Sequence, residues 1–231
     1  MGAPRIVVVG SANTDLVVRC PRIPRPGETV LGQDFQTFPG GKGANQALAC
    51  ARAGGAPTHF LTGLGADAFA LPLEASLQGA GVQLHAVRPQ GLPTGTAFIC
   101  VSDAGENAIT VAPGANSSLR PAHLPALDGF SHLLMQLEIP LDTVEAYARA
   151  AHTAGPSGDL ARRMAMLALP TLVVTLGARG CVARHQGVQY EQAAFAVDVV
   201  DSTGAGDTFC GALVAAWSMG ADMATALRRA S

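Results

Sequence analysis

The sequence predicts an α/β fold with a mostly parallel sheet. Three observations carry that expectation: short apolar, β-branched runs recur along the chain, helical segments separate them, and glycine-rich turns stand where strand gives way to helix. The 231 residues suffice for a sizeable buried core, and residues 1–231 are read as a single domain. Ile6–Gly10 has the length and composition of a fully buried strand. Residues 15–39 are rich in Pro and Gly, with alternating fragments such as Thr29-Val30-Leu31, and predict a small, partly exposed β element. Gly40-Gly41-Lys42-Gly43 opens a small-residue helix, Ala44–Ala53, which Gly54-Gly55 stops. Thr58–Thr62 is the next strand and Asp67–Gly79 the next helix. Gly95–Ser102 and Asn107–Ala112 flank Asp103-Ala104-Gly105-Glu106 and predict a β-hairpin. Ser131–Leu137 reads as a buried strand, and Pro140–Ala154 as a helix with proline near its start.

The alternation then breaks. Asp159–Ala168 predicts a second helix directly after the first, joined only by Gly155-Pro156-Ser157-Gly158, before the strand Leu172–Leu176. A parallel sheet needs a crossover helix for each strand, so a strand is expected to be absent at 155–158. Cys181–His185 and Ala196–Val200 predict further strands, Thr208–Met219 an apolar helix and Asp222–Ala230 a last one.

Composition narrows the function classes. Fifteen basic residues stand against 17 acidic ones, a net charge of −2, so no basic excess exists to neutralise the phosphates of a nucleic acid. Hydrophobic residues reach 48% and mean hydropathy is +0.28, which calls for a check for membrane spans. The most apolar stretches, Met164–Leu176 and Cys210–Ala216, are too short, and the first contains Pro170; no membrane association is expected. Met1-Gly2-Ala3-Pro4-Arg5 runs straight into the first strand, with no sign of a signal peptide. The five cysteines lie far apart without a CxxC pair, which disfavours structural zinc and disulfides and fits a cytoplasmic protein. The six histidines show no metal-ligand spacing.

The strongest local signal is Gly204-Ala205-Gly206-Asp207 at the start of the apolar helix. Small residues let a ligand approach the backbone, and the N–H groups of a first helical turn bind anions. An acidic side chain suits that place if it takes a proton from an attacking hydroxyl while the amides hold a transferring phosphoryl group. Taken alone, the pattern reads more readily as Asp207 capping its helix. Gly40-Gly41-Lys42-Gly43-Ala44-Asn45 is not a Walker A loop, since no Ser or Thr follows the lysine. Such a turn suits a small polar ligand, or is simply tight. Asn13 and Asp15 stand just past the first strand, at the edge where open α/β sheets bind ligands. They could clamp neighbouring hydroxyls, or close the strand as an Asx turn. Glu138 ends the Ser131–Leu137 strand at a similar edge, and Thr175-Leu176-Gly177-Ala178-Arg179-Gly180 is a strand running into a glycine turn.

Together these residues resemble the ribokinase-like carbohydrate kinase family. Gly10-Ser11-Ala12-Asn13-Thr14-Asp15, then Pro26-Gly27-Glu28-Thr29 and Gly40-Gly41-Lys42-Gly43-Ala44-Asn45-Gln46, resemble its first signature; Asp201-Ser202-Thr203-Gly204-Ala205-Gly206-Asp207-Thr208-Phe209 resembles its second. The resemblance implies a three-layer α/β/α sandwich with a mostly parallel sheet. It adds a small β lid, formed by residues 15–39 and 95–112, that covers the site and pairs two subunits into a homodimer. It implies transfer of the ATP γ-phosphoryl group to the 5-hydroxyl of D-ribose, with Asp207 as catalytic base and Gly204, Ala205 and Gly206 as an anion hole. Asn13, Thr14, Asp15, Gly41, Lys42, Gly43, Ala44, Asn45 and Glu138 would line the sugar site. Thr175, Leu176, Gly177, Ala178, Arg179, Gly180 and Gly206 would meet the nucleotide. Asp201 and Thr203 match positions that hold an activating K⁺, and Mg²⁺ would arrive with ATP.

The chain departs from the pattern in two places. Family members carry, after the Pro140–Ala154 helix, an Asn-Pro-Ala-Pro strand and a strand ending in Asn-x-x-Glu, and neither motif is present. The chain also stops at Ser231, before the family's final helices. Two further readings therefore stand beside the first: a shortened, non-catalytic form that binds sugar or a partner chain, and a kinase for another sugar or a nucleoside.

Overall fold

The computed structural model of the chain describes residues 4–54, 56–153, 171–198 and 204–231. In chain order the strands are β1 (Ile6–Val9), β2 (Asn13–Cys20), β3 (Phe35–Gly40), β4 (Thr58–Gly63), β5 (Gln83–Val87), β6 (Gly95–Ser102), β7 (Asn107–Ala112), β8 (His132–Met135), β9 (Thr171–Thr175), β10 (Cys181–His185) and β11 (Val188–Gln192). The helices are α1 (Lys42–Ala53), α2 (Ala70–Gly79), α3 (Leu141–Thr153), α4 (Ala205–Ser218) and α5 (Met223–Ala230).

The central sheet is all-parallel, in the order β5-β4-β1-β8. Period-two alternation splits β1 between two cores. Ile6 and Val8 pack with Ala44, Ala47 and Cys50 of α1 and Leu73 and Leu77 of α2; Val7 and Val9 pack with Leu119, Val144 and Tyr147 on the α3 side. All four β1 side chains are buried, as a strand covered on both faces requires. Helices above and below a parallel sheet give the three expected layers. A second sheet, antiparallel in the order β11-β10-β9, is backed by α4 and α5 through Cys181, Ala183, Leu213 and Leu227.

The third sheet, β3-β2-β6-β7, stands over the carboxyl edge of β1. Its β6–β7 hairpin has the predicted boundaries. Direct pairing puts Asp15, Val17, Ile99 and Ile109 on one face and Leu16, Val18, Phe35 and Phe98 on the other. The first face lines a cleft; on the second, Phe35 and Phe98 lie 66% and 54% exposed.

Two strands escaped the sequence reading, and one expected strand is corrected. Residues 196–198 of Ala196–Val200 are not in a strand, and residues 199–200 lie outside the described ones. The partner of β10 is β11, reached through Gln186-Gly187, both with positive φ (50° and 82°) as a two-residue hairpin turn demands. Its residues, Val188-Gln189-Tyr190-Glu191-Gln192, are too polar to announce a core strand. Gln83–Val87 was missed for its mixed, short pattern and forms the edge strand β5. The helix Asp159–Ala168 and the junction at 155–158 fall outside the described residues.

Helix α4 crosses α1 at backbone contact. A Cβ on Gly211 would lie 2.8 Å from the Gln46 carbonyl oxygen and 2.9 Å from the Cys50 amide nitrogen. Overpacking of this kind costs about 1–3 kcal/mol. Gly211→Ala is therefore expected to lower the melting temperature by roughly 2–10 °C; a calorimetric scan showing a shift under 1 °C would mean that the helices do not meet this closely.

Candidate functional site

The site is built where α1 begins. Gly41 has φ 91°, and a Cβ there would lie 2.7–2.9 Å from the backbone of Ser11–Asn13. A Cβ on Gly43 would lie 2.6–2.7 Å from Gly10 and Ser11. Only glycine lets the first turn of α1 lie flush on the β1–β2 turn, where the Ala44 amide donates to the Ser11 carbonyl oxygen at 2.9 Å. Asn116 fastens that turn from behind: its Nδ2 donates to the Ala12 carbonyl (3.1 Å) and to Asn13 Oδ1 (2.8 Å), and its Oδ1 accepts from the Ala12 amide (3.0 Å).

Glu138, just past β8, reaches the same turn. Ser11 Oγ donates to it at 2.6 Å, and Lys42 pairs with it through Nζ and donates its amide at 3.4 Å. Burial would raise the Glu138 carboxyl, but the hydrogen bonds from Lys42 and Ser11 and the Lys42 charge outweigh it and hold it below its usual range. Asp15 lies over Gly40, which has no room for a Cβ beside its carboxylate. Burial, then the Glu138 charge, push Asp15 up to about 6.

Asp207 closes the group from α4. It does not cap its helix: the N-cap is Gly204, with φ 71° and no side chain to accept from the first turn. Instead Asp207 accepts from α1, from Asn45 Nδ2 at 3.3 Å and Gln46 Nε2 at 2.9 Å. Gln46 in turn accepts from Gln136 Nε2 at 2.5 Å. Ala205 and Gly206 are exposed beside it, so the amides that begin α4 are open to an anion. A cleft of about 1170 Å³ joins Asp15, Asn45, Gly204 and Thr208 to the inner face of the β2–β7 sheet.

The structure thus brings Asn13, Asp15, Gly41, Lys42, Gly43, Ala44, Asn45, Glu138, Gly204 and Asp207 to one edge. Thr14 is different: its hydroxyl donates to the Phe69 carbonyl at 3.0 Å, and its place on β2 faces away from Asp15. Thr175–Gly180 form the turn from β9 to β10, exposed at Gly177–Arg179. Asp201 and Thr203 lie outside the described residues. Sequence reading missed Ser11, Gln46, Asn116 and Gln136 as members of the site. Ser11 and Gln46 stood inside the quoted motifs and Gln136 inside the expected strand Ser131–Leu137; Asn116 had no local signal.

The chain matches the pfkB family carbohydrate kinase over residues 3–164 and again over residues 158–231. It is 34% identical over 265 positions to ribokinase from Bacillus subtilis, covering 98% of this chain and 90% of that one. Those 265 positions outnumber the 231 residues here, so that relative has residues without a counterpart in this chain. Among solved structures, ribokinase from Thermotoga maritima superposes with a TM-score of 0.85 at 29% identity, covering 97% of this chain and 89% of that one. Arabidopsis thaliana ribokinase complexed with ribose and ATP gives 0.79 at 30% identity, covering 99% and 90%.

Raised from 3.8 to about 6, Asp15 stabilises the unliganded fold when protonated, and that contribution is lost as pH rises through 6. The melting-temperature gap between Asp15→Asn and wild type should therefore widen in favour of Asn from pH 4 to pH 7. A gap that stays flat would show that Asp15 is not buried beside Glu138 in solution.

Proposed function

The chain belongs to the pfkB family of carbohydrate kinases, and on that premise we propose that it transfers the γ-phosphoryl group of ATP to the 5-hydroxyl of D-ribose, yielding ribose 5-phosphate and ADP. The observation that carries this reading is the Asp207 carboxylate in the open first turn of α4, bonded to Asn45, which lines one cleft with Asp15, Gly204 and Thr208. The ribokinase relatives, and the one described with ribose and ATP, support the choice of substrates.

In this mechanism Asp207 accepts the proton of the attacking hydroxyl as the new O–P bond forms and the bond to ADP breaks. Charge on the transferring group is met by the amides of Ala205, Gly206 and Asp207 at the positive end of α4. Ribose is almost all hydroxyl, so its recognition rests on hydrogen bonds. Asp15 offers two oxygens to adjacent hydroxyls, Asn13 and Asn45 both donate and accept, and Lys42 and Glu138 bound the far side. Closure of the β2–β7 sheet excludes water, which suppresses ATP hydrolysis. The nucleotide lies along Thr175–Gly180. Mg²⁺ would come with ATP to offset its phosphate charge, and Asp201 and Thr203 would hold an activating K⁺. The outer lid face, with Phe35 and Phe98, is assigned to a homodimer contact.

A second reading has its own support. The family match comes in two pieces that overlap at residues 158–164, beside the junction where the sequence predicts a missing strand, and a chain lacking that strand would bind sugar without turning it over. A coupled assay with ribose, fructose and adenosine, with and without K⁺, separates these readings. Turnover is expected with ribose, raised by K⁺. Asp207→Asn should lower kcat by about 10²- to 10⁴-fold while ribose binding persists. Ribose binding without turnover would favour the non-catalytic form, and faster turnover of another acceptor would reassign the substrate.

A further inference from the structure

The two oxygens of Asp207 are not equivalent. Oδ1 accepts at 2.9 Å from Gln46 Nε2, whose residue is only 5% exposed within α1. Oδ2 has the 3.3 Å contact with Asn45 Nδ2, a side chain that lines the cleft. A base must be a carboxylate, and a carboxylate only accepts hydrogen bonds. That forces the Gln46 amide to turn its NH₂ to Asp207 and its oxygen away. The oxygen then needs a donor, which Gln136 Nε2 supplies at 2.5 Å. The direction of Gln136 is forced in turn, and among the described residues its own buried Oε1 has no hydrogen-bond partner. It lies against Gly10, where no side chain would fit beside it. The two glutamines thus form a one-way chain of donors that ends on Oδ1 of Asp207 and fixes that oxygen from within the core.

We propose that Gln46 is a positioning residue: it locks Oδ1 of Asp207 and so presents Oδ2 as the atom that takes the sugar hydroxyl's proton, with Gln136 setting the direction of Gln46. This rests on the reading of Asp207 as the base. When Asn45 turns to a bound sugar, Oδ2 is freed while Oδ1 stays held. The attacking O–H bond breaks, its oxygen bonds to the γ-phosphorus, the bond from phosphorus to the ADP oxygen breaks, and the proton ends on Oδ2.

The test is a four-protein cycle of wild type, Gln46→Met, Asp207→Asn and the double variant, assayed for kcat and KM with D-ribose and ATP. Methionine keeps the length of glutamine and removes both hydrogen bonds. Gln46→Met should lower kcat by about 10- to 100-fold, the scale of a misplaced catalytic group, with the ribose KM within about twofold of wild type. In the Asp207→Asn background the same change should cost nothing further, because there is no base left to position. Gln136→Met, which among the described residues removes only the hydrogen bond to Gln46, should lower kcat alone and by less; it also serves if Gln46→Met does not fold. Unchanged kcat in the glutamine variants, or an equal loss with and without Asp207, would overturn the proposal and leave the base assignment standing. Near-normal turnover of Asp207→Asn would instead sink the base assignment and this inference with it.

Discussion

Helix α1 is held by backbone contact at its start and at its middle, and the site depends on that constraint. At its start Gly43 lies on Gly10 and Ser11; at its middle, Gly211 of α4 lies on Gln46 and Cys50. Ala44, Ala47 and Cys50 fill the face between these contacts, and Cys50 Sγ reaches the Gly211 carbonyl at 3.4 Å. Larger residues would bury more apolar area but would push the elements apart by more than a hydrogen bond tolerates. Small residues give up hydrophobic stabilisation here in exchange for position. The reward is that Lys42 meets Glu138, just past β8, while Asn45 and Gln46 meet Asp207 of α4.

Electrostatics then sort three carboxylates that share one cleft edge. Glu138 has Lys42 and Ser11, and is held ionised. Asp207 has two side-chain amides. Asp15 is shifted upward by burial and by Glu138, so of the three it gains most from a ligand that brings hydroxyl donors. A polyhydroxyl ligand would bring hydroxyl donors to Asp15, and burial strengthens the bonds made there.

Much of this was legible in the sequence because glycine spacing reports backbone geometry directly. Gly41 and Gly43 predicted a tight turn opening a helix, and the structure shows the close approach that excludes a Cβ at each. The hairpin at 95–112 carried both alternation and turn residues, so its boundaries were readable. β5 and β11 were not, since an edge strand with one exposed face lacks a continuous apolar run. Asn116 and Gln136 were hidden for another reason. A buried amide is meaningful only through its partners, and those lie 104 and 90 residues away in the chain. Residues 196–198 of the strand expected at 196–200 are not in a strand, because apolar alternation alone does not supply a pairing partner.

The most direct test of the account is the fate of the phosphoryl group. A ³¹P NMR time course of the chain with D-ribose, ATP, Mg²⁺ and K⁺ reads product and leaving group together. The account predicts a phosphomonoester signal coupled to the two C5 protons of ribose, growing in step with ADP. Inorganic phosphate appearing in step with ADP, or no loss of ATP while ribose is bound, would contradict it.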